Sequence, residues 1–195
     1  MWDAIYTVII GIVLVGALIG WILSLSRKQD RIIKALFTKQ AQKRKGTVSH
    51  KQYHYSLTFP YLDTPLKLTE YSGSENEAAH STITCVLFHP IQGTIKIHSR
   101  TYLYKISEKI GMRIFKTGDS EFDEQYFITS SDVLLVNTFL DAQIRAKLLS
   151  NRHCKPFISI KETLLTVRFP KFLLTEPEQD ELIDLAQTLL RKFNG

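Results

Sequence analysis

The side chains best suited to chemistry in this sequence are two cysteines and their neighbouring histidines. Cys85 and His89 are spaced Cys-x-x-x-His, and His153 adjoins Cys154. Two Cys and two His are a donor set for zinc, which needs four converging ligands. The same groups can form a Cys–His nucleophile pair. Both readings meet physical objections. Adjacent residues such as His153 and Cys154 rarely bind one ion together. Cys85 lies in an apolar run, where a buried thiol behaves as a small hydrophobe. Nothing beside either cysteine in the sequence lowers a thiol pKa. His50 and His54 are four residues apart but straddle a linker and a strand start, so they read as surface residues. The expectation is no catalytic residue, no metal ligand and no cofactor.

The most distinctive stretch is 117–127, TGDSEFDEQYF. Its acidic run suggests a calcium loop, but the mechanics fail. With Asp119 as position 1, position 6 is Glu124 rather than glycine, and position 12 is Ser130 rather than a bidentate glutamate. A structural motif is expected instead. Gly118 and Asp119 make a turn, Phe122 plugs a pocket, and Asp123 completes the unit. Other catalytic patterns are absent: the chain holds no G-x-G-x-x-G, G-x-x-x-x-G-K-[ST], H-E-x-x-H or G-x-S-x-G.

The run Gly118-Asp119-x-x-Phe122-Asp123-x-x-x-Phe127, followed by a capped helix and a short hairpin, resembles uncharacterised bacterial membrane-anchored domains. These share a G-D-x-x-F-D signature ahead of a strand, capped helix and strand. The resemblance covers roughly residues 110–170, under half the chain. It implies a bacterial origin and no activity.

The elements that must position these residues begin with a membrane anchor. Residues 4–26 carry no charge, and thirteen of them are Ile, Leu or Val. At 1.5 Å per residue they span about 34 Å, enough for a hydrocarbon core of roughly 30 Å. Insertion gains about 4–8 kcal/mol before the polar terms. Trp2, Tyr6 and Trp21 are placed as interfacial anchors. A cleavable signal peptide would put its positive charge ahead of a shorter apolar run. The expected organisation is therefore a transmembrane anchor over 1–26, a basic juxtamembrane helix or linker over 27–45, and an α+β domain over 46–195. Gly16, Gly20 and Ser24 form a small-residue row suited to helix–helix approach. It predicts a protein partner or a homo-oligomer.

Segment 27–45 holds Arg27, Lys28, Arg31, Lys34, Lys39, Lys43, Arg44 and Lys45 against Asp30, a net of +7. The remaining 150 residues balance to zero, so no nucleic-acid partner is expected. The basic residues follow the apolar run, which places the N-terminus outside and the domain in the cytoplasm at a bacterial inner membrane. Arg27, Lys28, Arg31 and Lys34 are also candidates to contact anionic membrane lipid. Both cysteines are expected to be free thiols.

Within the domain, alternation predicts strands at 53–59, 66–71, 82–88, 94–106, 112–116 and 125–129. Ser131 and Asp132 cap a helix running to about Ser150. Residues 157–161 and 164–169 form a hairpin across Glu162-Thr163. Thr175 caps a last helix, with Pro177 near its start and Glu178 three residues on. The class is α+β with a largely antiparallel sheet, an internal helix and a C-terminal helix. An anchor joined to a domain without chemistry predicts a non-enzymatic interaction module, an accessory or scaffold subunit of an inner-membrane assembly. A tethered lipid- or small-ligand-binding domain is the alternative. A Cys/His-dependent enzyme is the third.

Overall fold

The computed structural model describes residues 2–51, 54–71, 73, 78–100 and 114–194. The side chains of residues 2–10, 12, 23, 26 and 194 lie outside that description. So do Tyr53 and residues 101–106 and 112–113 of the expected strands.

Helix α1 (Trp2–Arg44) is one continuous element. It ends with the Gly46 N–H donating to the Ala41 carbonyl at 2.9 Å and Lys45 at φ 53°. A six-to-one bond around a left-handed residue is the Schellman ending. Lysine takes the left-handed position because glycine is needed one residue later. A Cβ on Gly46 would lie 2.6 Å from the Thr58 carbonyl oxygen of the adjoining strand.

Among the described residues eight strands build one antiparallel sheet: β1 (Thr47–Lys51), β2 (His54–Tyr61), β3 (Thr64–Tyr71), β4 (His80–Val86), β5 (Thr94–Ser99), β6 (Tyr126–Ser130), β7 (Phe157–Lys161) and β8 (Leu164–Phe169). Their order is β1-β2-β3-β4-β8-β7-β5-β6. Among the described residues the helices of the domain are α2 (Ser120–Gln125), α3 (Val133–Phe139), α4 (Ala142–Ser150) and α5 (Glu176–Asn194), with a 3-10 turn at Arg152–Cys154. The fold is α+β.

Several elements differ from the sequence expectation. The helix expected over 131–150 is two helices. Asp141 breaks it by turning its carboxylate onto the Ile144 N–H at 2.9 Å, a cap that outcompetes helix continuation. The break lets both Phe139 and Leu140 reach the core. Residues 47–51 are a strand rather than a linker. β2 runs through Pro60, which lies beyond Thr58, the last residue paired with β1. The sheet therefore asks for no N–H there. Two-residue turns close β2–β3 and β7–β8 without glycine, by placing Leu62 at φ 53° and Glu162 at φ 52°.

One sheet face carries the core. Leu57, Leu66, Leu68, Ile83, Ile95, Ile97, Ile158, Ile160, Leu165 and Val167 are fully buried on it. α5 lies over β4 and β8, and α1 lies over β2. Ile33 and Phe37 of α1 join this core, with the Phe37 and Tyr55 rings 6.0 Å apart. The packed unit thus reaches back into segment 27–45. α1 is also clasped to α5. Asp180 accepts from Gln40 at 3.0 Å and Lys43 at 2.7 Å, and pairs with Arg44 at 2.6 Å. Lys39 pairs with Glu176 at 2.5 Å. Burial raises the Asp180 pKa, but the bonds from Lys43, Gln40 and Arg44 outweigh it and hold the carboxyl below its ordinary range.

The acidic stretch folds as a capped turn of helix. Asp119 accepts the Phe122 N–H at 3.2 Å, which caps α2. The Asp123 carboxylate gathers Thr117 N–H at 3.0 Å, Thr117 Oγ1 at 2.9 Å and Gly118 N–H at 3.1 Å. Gly118 sits at φ +81°, which an L side chain resists. Phe122 is fully buried and stacks on Tyr126 with centroids 5.0 Å apart. Arg145 and Arg152 meet Asp119 and Glu121 at 3.2 and 2.8 Å.

The core face holds one carboxyl, Glu70, which is 2% exposed. Burial pushes its pKa up to about 8, against bonds from Ser81 and the Leu173 backbone. Ser81 Oγ lies 2.5 Å from Glu70 Oε2 and 2.7 Å from the Lys171 carbonyl. A serine has one proton to give. A protonated Glu70 donating to Ser81, which donates to Lys171, satisfies both contacts.

Two predictions follow from this packing. Phe122→Ala should cost about 3–5 kcal/mol, and Asp123→Ala about 1–2 kcal/mol, because it removes the shared acceptor of the Thr117 and Gly118 donors. Glu124→Gln should stay within about 0.5 kcal/mol of wild type. Denaturant melts check the series, and an unshifted Phe122→Ala midpoint would refute the plug. For Glu70, the folded state keeps a proton that the unfolded state releases above its ordinary value of 4.5. Stability is therefore highest below that pH and falls as pH rises towards about 8. Glu70→Gln should remove that fall and melt above wild type at pH 8. Parallel pH profiles for the two proteins would contradict the assignment.

Candidate functional site

Three regions carry side chains that a partner could use. The first is the N-terminal part of α1. Val13, Leu14, Val15, Leu18, Ile19, Trp21, Ile22 and Leu25 are all exposed, with Val13 at 63% and Trp21 at 62%. Gly16 and Gly20 have open space where a Cβ would stand. Gly20 and Ser24 lead into Arg27, Lys28 and Arg31, and together they line a groove of about 500 Å³. Lys34 is exposed further along the helix. The basic residues thus divide. Those from Arg27 to Lys34 face outward, whereas Lys39, Lys43 and Arg44 hold α5. Among the described residues no helix is long and apolar enough to cross a membrane. The side chains of residues 4–10, 12, 23 and 26 of the expected span lie outside that set.

The second region is the sheet face turned away from α1 and α5. Register aligns Thr47, Thr58, Lys67, Thr84, Thr166, Ser159, Lys96 and Thr129 in one row across all eight strands. The next rows bring Lys51, Lys161 and Arg168 onto the same face. These are all the Lys and Arg residues of the described strands, and the strands' single carboxylate, Glu70, is on the other face. Rings gather at one end: His54 stacks on Tyr71 at 4.7 Å, and His98 on Phe127 at 4.6 Å. Desolvation and the nearby Lys96 charge hold His98 below its ordinary pKa. This surface was missed in the sequence. Its signal was present as Thr, Ser and Lys at every second strand position, but only the pairing register joins those positions into one face.

The third region concerns the cysteines. Cys85 is 2% exposed on the core face, and burial pushes its thiol up to about 12, so it is no nucleophile. His89 is exposed in the turn beyond β4. His50 stacks on Tyr55 at 4.3 Å. The His, Cys and acidic groups that converge among the described residues are His153, Cys154 and Glu181. Sequence spacing had no way to join Glu181, from a different helix, to the other two. Cys154 is buried, and both cysteines are free thiols.

An apolar cleft lined by Ile91, Leu135, Phe139 and Phe193 holds about 170 Å³. Ligand pockets usually enclose about 300–1,000 Å³.

No protein-family model matches the chain, and no curated protein matches it. The structure is similar to the crystal structure of the mycobacterial trehalose monomycolate transport factor A, TtfA, with a TM-score of 0.55 at 9% sequence identity. The similarity covers 86% of this chain and 97% of that one. At this identity the likeness is one of fold.

Proposed function

We propose that this chain is a membrane-anchored, non-enzymatic accessory or scaffold subunit of a bacterial inner-membrane assembly. Its N-terminus is outside and its folded domain is in the cytoplasm. The observation that carries the reading is the continuity of α1. One helix runs from the uncharged, apolar residues 4–26 into the core, where Phe37 and Gln40 are fully buried. A flexible tether would let the domain wander. This helix instead gives the domain one orientation relative to whatever surrounds its apolar end. The exposed Arg27, Lys28, Arg31 and Lys34 sit where anionic headgroups would meet them, at roughly 1 kcal/mol each. The basic sheet face supplies a docking surface for a partner with an acidic face, since opposite potentials set orientation and encounter rate.

A lipid-handling variant of this role has a specific observation behind it. The protein of similar fold is named as a transport factor for trehalose monomycolate. The same anchor-and-domain arrangement would serve a lipid-transport assembly without any catalytic residue in this chain.

The chain should sediment with membranes and resist alkaline carbonate extraction. A reporter active only in the periplasm, fused after Gly195, should stay silent. Bright periplasmic activity would reverse the orientation, and release by carbonate would remove the anchor. If the Gly16–Gly20 face packs on another helix, Gly16→Ile should weaken association in a membrane two-hybrid assay at equal expression. An unchanged signal would leave the glycine row without a role.

A further inference from the structure

The densest unassigned donor chemistry lies where the 3-10 turn Arg152–Cys154 meets α5. His153 Nε2 is 3.3 Å from Glu181 Oε2, and Cys154 Sγ is 3.8 Å from the same oxygen. The three donor atoms all lie within 4.8 Å of one another. A tetrahedral zinc ion holds nitrogen and oxygen at about 2.0–2.1 Å and sulfur at about 2.3 Å. Those bond lengths separate ligand N and O by about 3.3 Å, and S and O by about 3.5 Å. The two Glu181 pairs therefore already stand near the spacing a metal would impose, and the His153–Cys154 pair would close to it from within 4.8 Å. Adjacent residues rarely share an ion, but here the 3-10 turn brings both side chains to one Glu181 oxygen.

The turn is held independently of any ion. The Asn151 N–H donates to Leu148 at 3.1 Å, and the Cys154 N–H to Asn151 at 3.0 Å. Asn151 Nδ2 reaches the Lys147 carbonyl at 2.9 Å. Tyr126 holds the same corner by donating to the Leu148 carbonyl at 2.8 Å. The burial pattern suits an open site: Cys154 is 2% exposed, whereas the His153 and Glu181 side chains are 58% and 45% exposed. Three ligands on one side leave the fourth position towards solvent. Lys171, the nearby cation, is engaged with Glu178 at 2.7 Å.

We propose that His153, Cys154 and Glu181 form a three-ligand site for a divalent ion of the zinc class, with water as the fourth ligand. Binding converts the Cys154 thiol to a thiolate and releases its proton to solvent, so occupancy should rise with pH. The ion would tie the turn after α4 to the N-terminal part of α5, where α1 also grips that helix through Glu176 and Asp180. Without it, the same atoms form an ordinary His–Glu pair and a thiol–carboxylate contact.

The test is a cobalt titration of the tag-free full-length chain in mild detergent. Binding should produce thiolate-to-cobalt charge-transfer absorption in the near ultraviolet and intense tetrahedral bands in the visible, both bleached by zinc. Cys154→Ser should abolish the charge-transfer band, while Cys85→Ser should keep it. Glu181→Gln, a change at a side chain 45% exposed, should weaken affinity by more than about tenfold, a loss that outer-shell changes alone can cause. At one zinc concentration the melting temperature should rise more for wild type than for Glu181→Gln. No thiolate–cobalt band in wild type, a band that tracks Cys85, or unchanged affinity in Glu181→Gln would each overturn the proposal.

Discussion

The structure depends on the docking of one helix onto the domain it introduces. α1 enters the core through Phe37 and is held at its end by the four-way contact of Asp180 with Gln40, Lys43 and Arg44. Apolar burial supplies the affinity of this joint and the polar pairs around the buried Gln40 supply its register, because a misplaced helix would strand Gln40 without a partner. Gly46 then lets the chain turn so closely against β2 that no side chain fits. These contacts fix the C-terminal part of α1 against the sheet.

From that joint follows the division of the sheet into two chemical faces. The face under α1 and α5 is largely apolar, and burial drives its carboxyl, Glu70, towards its neutral form. The opposite face carries hydroxyls and the strands' lysines and arginine. Each half is consistent with its surroundings: carboxylates are costly in the core, and Lys51, Lys67, Lys96 and Lys161 on the other face are exposed. A domain that balances to zero charge thereby presents a basic surface. Net charge counts residues without regard to face.

The loop 117–125 shows how an acidic run can be structural. Asp119 and Asp123 spend their oxygens on backbone donors of Thr117, Gly118 and Phe122. The turn they build drives Phe122 into the core. The carboxylates that are left, on Glu121 and Glu124, are exposed.

The sequence by itself determined the features that rest on local physics. The long uncharged run at 4–26, the basic cluster after it, the caps at Asp132 and Thr175, the β7–β8 hairpin and the α+β class all follow from periodicity, capping chemistry and charge over short stretches. Only the tertiary structure decided what depends on distant residues meeting. That part includes the docking of Phe37, the strand at 47–51, the break at Asp141, the sorting of Lys67 and Lys96 onto one face, and the convergence of Glu181 on His153 and Cys154. The physical reason is range. A side chain's period or cap is set within a few residues. A register, a buried ion pair or a ligand set is fixed by packing between segments far apart in the chain, about which no local pattern carries information.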